Sequence, residues 1–219
     1  MNAEDGVGVS GATSRPTALI VDFGGVLTTS IWPAFAAFCR AEGLPEGAVR
    51  DLFRNDPEAL ADLRQLETGE CEPHEFERRF SARLGIENAE GLIQRLFAGL
   101  GPDEEMVAAV RAARDAGVKT ALISNSWGQT IYEPSALESL FDASVISGEV
   151  GVHKPQPEIF MLACQKLDVG PDECVFVDDL RENVAGAKAV GMIAILHRET
   201  AETLDRLEEL LGIEFRRPT

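Results

Sequence analysis

The chain has 219 residues, 45% hydrophobic and 26% charged, the balance of a globular protein with room for one substantial core and an inserted subdomain. Its 37 acidic residues against 20 basic ones give a net charge of −17, a field that repels polyanions and argues against nucleic acid or an anionic membrane as partner. No apolar run reaches the roughly 18 residues of a membrane span, and Cys39, Cys71, Cys164 and Cys174 lack CxxC or zinc spacing, so a cytoplasmic protein with reduced thiols is expected.

Residues 1–16 are rich in Gly, Ser and Ala, with no basic start or apolar stretch, and are expected to form a disordered leader, not a signal peptide. Gly6, Gly8 and Gly11 spell the dinucleotide pattern GxGxxG, but no strand precedes them and no helix opens on them, so the pattern lacks its physical context. The run Ala18-Leu19-Ile20-Val21 then predicts a buried strand that ends on Asp22, followed by Gly24 and Gly25.

From 31 to 101 the period changes. Phe35, Phe38 and Cys39, then Leu60, Leu63 and Leu66, then Phe76, Phe80 and Leu84, then Leu92, Leu96 and Leu100 recur at helical intervals. Breaks at Gly43 to Pro45, Asn55 to Pro57, Gly69 to Pro73 and Gly85 divide this stretch into short amphipathic helices.

Strands and helices alternate from Pro102 onward. Helices are predicted over Asp103 to Ala116, Ser135 to Phe141, Glu158 to Leu167, Asn183 to Val190 and Ala201 to Leu211. Strands are predicted over Lys119 to Ile123, Ala143 to Ser147, Glu173 to Val177 and Ile193 to Leu196. Such alternation implies βαβ units and a parallel sheet. The expected architecture is an α/β, Rossmann-like core built from 17–30 and 102–219, interrupted by an inserted α-helical cap subdomain at 31–101.

Three of these strands end on chemistry. Asp22 follows the first, Ser124-Asn125 the second, and Asp178-Asp179 the strand beginning near Glu173, while Lys154 stands before Pro155 in a loop between them. Ligands of parallel sheets bind at the carboxyl ends of the strands. Any one of these acids alone could be a helix cap. Acids at two strand ends with a lysine and a Ser-Asn pair between them point jointly to phosphate and Mg²⁺, a hard cation that takes carboxylate and phosphate oxygens.

The segments Val21-Asp22-Phe23-Gly24-Gly25-Val26-Leu27, Leu122-Ile123-Ser124-Asn125-Ser126, His153-Lys154-Pro155-Gln156-Pro157-Glu158-Ile159-Phe160 and Val175-Phe176-Val177-Asp178-Asp179-Leu180-Arg181-Glu182-Asn183 resemble, in this order, the four motifs of the haloacid dehalogenase superfamily. The likeness is to phosphatases with a helical cap after the first strand, including the phosphatase domain of soluble epoxide hydrolases. The resemblance implies an enzyme, a hydrolase of phosphoric monoesters. Asp22 would be the catalytic nucleophile, forming an aspartyl-phosphate, and Lys154 the catalytic cation. Ser124, Asn125 and Lys154 would bind the substrate phosphate, and Asp22, the Gly24 carbonyl, Asp178 and Asp179 the metal. The substrate would be a small phosphorylated metabolite, a sugar phosphate among the candidates; nothing in the pattern fixes an oligomeric state.

The chain departs from the family pattern at Gly24, where the resemblance calls for a second Asp that protonates the leaving oxygen. Good leaving groups, a water or cap residue as acid, or a metal- or ligand-binding protein with little turnover would each accommodate the glycine. So would a 2-haloacid dehalogenase, since halide departs without a proton; the paired Asp178-Asp179 speaks for the phosphatase. Arg40, Arg50, Arg54 and Arg64 are expected on solvated helix faces. His153 is expected beside the site and not in catalysis, His74 and His197 in structural or exposed places, and Trp127 and Tyr132 either at the cleft mouth or in packing.

Overall fold

The computed structural model describes residues 15–128 and 134–215; Gly6 to Gly11, nearly all of the expected leader and Tyr132 lie outside them. Five strands, β1 (Ala18–Val21), β2 (Lys119–Ser124), β3 (Ala143–Ile146), β4 (Cys174–Asp178) and β5 (Ile193–Leu196), form one sheet in the order β3-β2-β1-β4-β5. All neighbours are parallel. Between β1 and β2 come α1 (Ile31–Ala41), α2 (Ala48–Asn55), α3 (Pro57–Glu67), α4 (Pro73–Leu84), α5 (Leu92–Phe97) and α6 (Glu104–Asp115). The later helices are α7 (Pro134–Leu140), α8 (Ser147–Val150), α9 (Pro157–Leu167), α10 (Arg181–Ala189) and α11 (Thr200–Leu211). None is long and apolar enough to cross a membrane among the described residues.

Strand β1 explains why its run is apolar throughout. Successive side chains point to opposite faces of a sheet, and both faces here are covered by helices. Leu19 and Val21 pack with Met106 and Val110 of α6 and Leu204 and Leu207 of α11. Ala18 and Ile20 pack with Ile159, Phe160 and Ala163 of α9. Each large side chain so removed from water contributes roughly 1.5–3 kcal/mol. With both faces of β1 filled, the strand leads to Asp22, which lines a cavity at its carboxyl end.

The helices α1–α5 bury a third cluster, including Phe35, Phe38, Leu66, Phe76, Phe80 and Leu96. Helix α3 starts where Pro57 presets the backbone and Asp56 accepts the amides of Glu58 and Ala59 at 2.9 and 3.1 Å. The chain leaves for these helices and returns from them side by side. Thr28 bridges Pro102, the Thr29 amide donates to Gly101 O at 2.9 Å, and the Asp103 amide donates to Leu27 O at 2.9 Å.

Two boundaries differ from the sequence expectation for a tertiary reason. The third strand stops at Ile146, because Ser147 opens α8 and its hydroxyl is engaged by the Ser126 amide and by Glu67 O. Helix α10 begins at Arg181, before the expected Asn183, because the Asp178 carboxylate accepts the Leu180 amide at 2.8 Å and organises the turn ahead of it.

Candidate active site

The adjacency of β2, β1 and β4 brings together residues that lie up to 156 positions apart. Asp22 leaves β1, Ser124 ends β2, Asp178 ends β4, and Lys154 enters from the loop ahead of α9. The lysine side chain is almost fully buried, and its ammonium donates three hydrogen bonds: to Asp22 Oδ1 at 2.5 Å, to Asp178 Oδ2 at 2.8 Å and to Ile123 O at 2.9 Å. Those three acceptors use all the donors an ammonium has. The loop carrying Lys154 is tied to β2 through Asn125, whose Oδ1 accepts the Lys154 amide at 2.8 Å and whose Nδ2 donates to Lys154 O at 3.1 Å.

Asp178 is wholly buried. Besides Lys154 and the Leu180 amide it accepts both bonds of the Asn183 amide group, at 3.0 and 3.1 Å. It is thus the anchor of the lysine, whereas Asp22 and Asp179 face the cavity. Carboxylate oxygens of Asp22, Asp178 and Asp179 all lie within 4.8 Å of one another. Gly25 adopts a φ of +78°, and a β-carbon there would stand 2.8 Å from Asp179 Oδ2, so the glycine serves both a left-handed turn and the close approach of that acid. Gly24 is different: it carries no positive φ, and its nearest neighbour to an added β-carbon is Ile31 Cγ2 at 3.6 Å.

The electrostatics reflect three carboxylates sharing one ammonium. Burial pushes Asp22 up to about 7, against the lowering pull of Lys154 and with the Asp178 charge adding to the rise. Burial also lifts Asp179 to about 6, helped by Asp178 and opposed by Lys154. For Lys154, burial alone would lower the value, but Asp178 and Asp22 outweigh it and hold the ammonium charged. The cluster is short of positive charge, and its donors are hard oxygens, the set that suits a divalent Mg²⁺.

A cavity of about 1000 Å³ opens from this cluster. Asp22, Gly24, Ser124, Asn125, Lys154 and Asp179 line its floor, and its walls are mainly apolar, including Phe23, Leu27, Ile31, Ile93, Phe97 and Trp127. The structure therefore gathers Asp22, Ser124, Asn125, Lys154, Asp178 and Asp179 at one sheet edge. Arg40 pairs with Glu46 and Arg50 with Asp51, and neither these nor Arg54 and Arg64 belong to the lining among the described residues. His153 turns its Nδ1 to Lys154 O at 2.7 Å, His197 is buried against Thr203, and His74 is exposed at the cavity rim. Trp127 both lines the cavity and packs edge-on against Phe76 and Phe97 at 5.8 and 5.2 Å.

Two residues at the site were given no role from the sequence. Asn183 follows Asp178 by five positions, and its spacing onto the first turn of α10 was the available signal. Glu67 was visible only as an acid four residues after Leu63, on the apolar stripe of α3; it lines the cavity with its Oε2 3.5 Å from Asn125 Nδ2.

Comparison with known proteins identifies the family. The family model for haloacid dehalogenase-like hydrolases matches residues 16–191. The chain is similar to bifunctional epoxide hydrolase 2 of Rattus norvegicus, with 32% identity over 117 residues, 50% of this chain but only 21% of that protein. It thus matches about a fifth of the length of that relative. It is also similar to the sesquiterpene phosphatase astK of Aspergillus oryzae, 27% identical over 153 residues, 68% of this chain and 78% of the relative. Among solved structures, a variant family enzyme of Bacteroides thetaiotaomicron in complex with magnesium and inorganic phosphate superposes with a TM-score of 0.64 at 21% identity, covering 84% of this chain and 94% of the other. With the family model spanning most of the chain and the parallel sheet delivering Asp22, Ser124, Lys154 and Asp178 to one edge, the protein belongs to the haloacid dehalogenase-like hydrolases.

Proposed function

We propose that the protein is a Mg²⁺-dependent phosphatase of small phosphate monoesters, acting through an aspartyl-phosphate on Asp22. The observation that carries this reading is the Lys154 ammonium held between Asp22 and Asp178 at the floor of a deep cavity. Asp22, Asp179, the Gly24 carbonyl and Asp178 would hold magnesium, which supplies charge neutralisation for the phosphoryl oxygens when bound.

The chain's own residues account for the rest. Asp22 Oδ attacks phosphorus as the ester bond to the alcohol oxygen breaks, and water later displaces the aspartate to release phosphate. Ser124 and the Asn125 amide hold phosphoryl oxygens, and Lys154 balances the charge that develops there. Helices α1–α5 form the cap that closes over the substrate, with residues 17–30 and 102–219 as the core. The apolar walls favour an ester of a largely hydrocarbon alcohol over a sugar phosphate, whose hydroxyls would find few partners there; the similarity to a sesquiterpene phosphatase points the same way.

The test is hydrolysis of a panel of alkyl and aryl phosphates with magnesium and with EDTA, in the wild type and in Asp22→Asn. Activity should require both the metal and Asp22, and undiminished turnover in either control would refute the mechanism. Gly24 also favours a second reading, a 2-haloacid dehalogenase, which needs no acid. Chloride release from 2-chloropropionate in EDTA, without phosphate ester hydrolysis, would establish it in place of the first.

A further inference from the structure

An alkyl phosphate leaves as a poor alkoxide unless a proton reaches its oxygen, and general acid help of this kind is worth about 10²–10⁴-fold. Gly24 provides no group for this purpose, and an added β-carbon there would meet only Ile31 within contact distance. The other ionisable side chains at the cavity are largely committed. Lys154 spends its three donors on Asp22, Asp178 and Ile123 O. Arg111 is a guanidinium, suited to holding an anion and not to passing a proton, Asp179 is assigned to the metal, Glu77 accepts the Ile93 amide at 3.0 Å, and His74 is exposed at the rim.

Glu67 differs from all of these. It closes α3, is half-buried, lines the cavity, and holds Oε2 3.5 Å from Nδ2 of Asn125, a residue whose amide was assigned above to the substrate phosphate and whose side chain fastens the Lys154 loop. Although it belongs to the helical insertion, its backbone is fastened to the sheet side: Glu67 O accepts the Ser147 hydroxyl, whose oxygen in turn accepts the Ser126 amide at 2.8 Å. One residue pair further on, a β-carbon at Gly69 would stand 2.7 Å from Gly148 O, so the two backbones run in contact. A carboxyl on such an anchored helix end has a defined place beside the phosphoryl position.

We infer that Glu67 is the general acid and base of this enzyme, taking the part that the residue at position 24 lacks. In the first half-reaction an Asp22 oxygen bonds to phosphorus, the bond from phosphorus to the alkoxide oxygen breaks, and the Glu67 proton passes to that oxygen, releasing neutral alcohol. In the second, the Glu67 carboxylate takes a proton from water as the water oxygen bonds to phosphorus; the bond to Asp22 breaks, and phosphate leaves with Glu67 protonated again. Burial lifts Glu67 to about 7, against the Lys154 and Arg64 charges and with Asp22 adding to the rise, so both forms are populated near neutrality, as an acid that must also serve as a base requires.

The inference rests on the phosphatase reading, and the experiment separates the two. Values of kcat/KM are measured with magnesium for an alkyl phosphate and for 4-nitrophenyl phosphate, whose leaving group needs no proton, in the wild type, Glu67→Gln and the double variant Gly24→Asp/Glu67→Gln. Glu67→Gln should lower the alkyl-to-aryl ratio by about 10²–10⁴-fold, and the double variant should restore it, since Gly24 has the space and the backbone for an aspartate. The ratio within one preparation is independent of how much of it is folded. Glu67→Gln should also show a burst of 4-nitrophenol, because the aspartyl-phosphate then waits for an unassisted water. An unchanged ratio in Glu67→Gln would overturn the role of Glu67 while leaving the phosphatase intact. A wild type inactive on every ester would overturn the phosphatase reading and this one with it.

Discussion

Replacing Lys154 by methionine keeps most of the stem volume and removes only the ammonium, which isolates the electrostatic role of the residue. In the wild type that ammonium compensates two carboxylates, Asp22 at 2.5 Å and Asp178 at 2.8 Å, and satisfies Ile123 O at 2.9 Å. Breaking a buried ion pair from one side costs about 3–5 kcal/mol, because the partner is left charged and dry. In a chain of this size about 1 kcal/mol moves Tm by about 2–4 °C, so the metal-free variant should melt about 6–20 °C below the wild type.

The sign of the pH dependence follows from Asp22. Its pKa is raised in the fold, from 3.8 to about 7, so the native state binds this proton more tightly than the unfolded chain and stability falls as pH rises through that window. Without Lys154 the rise is larger. The gap between the two proteins should be smaller at pH 5, where Asp22 carries its proton in both and Asp178 is the carboxylate left without its ammonium, and larger at pH 8. Magnesium should narrow it again, since a ligand at 100 times its Kd adds about 2.7 kcal/mol and a cluster with no ammonium attracts a dication more strongly. Thermal melts at pH 5 and 8, each with EDTA and with magnesium, measure all of this. A Tm within about 2 °C of wild type in EDTA at pH 8, or a weaker magnesium response than wild type's, would refute the reasoning.

Other substitutions test neighbouring steps. Gly25→Ala places a methyl group 2.8 Å from Asp179 Oδ2 on a backbone with φ of +78°; it should weaken magnesium affinity, read by calorimetry, while the sheet signal in circular dichroism is kept, and unaltered affinity would count against Asp179 as a ligand. His197 is buried with its Nδ1 2.9 Å from Thr203 Oγ1, and burial lowers its pKa. A lowered histidine loses stability as pH falls from its unfolded value of about 6.5, so His197→Gln should flatten the acid limb of a denaturation profile between pH 7 and 5; an unchanged slope would show that other groups set it. Trp127 packs against Phe35, Phe53, Phe76 and Phe97 from the loop after β2. Trp127→Ala should speed hydrogen exchange in α1, α2, α4 and α5 while β1 and β4 stay protected, and equal acceleration in the sheet would mean that the helices α1–α5 do not open separately from it.

What could be read from the chain was what neighbouring residues decide among themselves. Ala18 to Val21 announces a strand covered on both faces because no polar residue interrupts it, and Asn55-Asp56-Pro57 announces the start of α3 because cap and proline are adjacent. The strand ends were legible for the same reason, and with them Asp22, Ser124, Asp178 and Asp179. Asn183 was less so: its meaning depends on a helix starting at Arg181, and that start depends on Asp178 accepting the Leu180 amide. Trp127 was legible only as a choice between cleft mouth and packing, and Glu67 not at all as a site residue, since their neighbours come from segments up to 92 and 80 positions away along the chain.

Gly24 shows how far the two kinds of information diverge. Along the chain it reads as a lost acid, which leaves open an enzyme confined to good leaving groups, one that uses water or a cap residue as acid, or a protein with little turnover. In the fold the same position is open, and its backbone is one that aspartate can adopt, so no steric requirement accounts for the glycine. Across the cavity, Glu67 is held beside Asn125 by a helix end fastened to Ser147. A proton donor on the inserted helices, unlike one on the β1 loop, would be in place only when those helices sit against the core. Release of the Ser147 contact would withdraw the acid and open the cavity together, so chemistry would be confined to the closed state, from which bulk water is excluded.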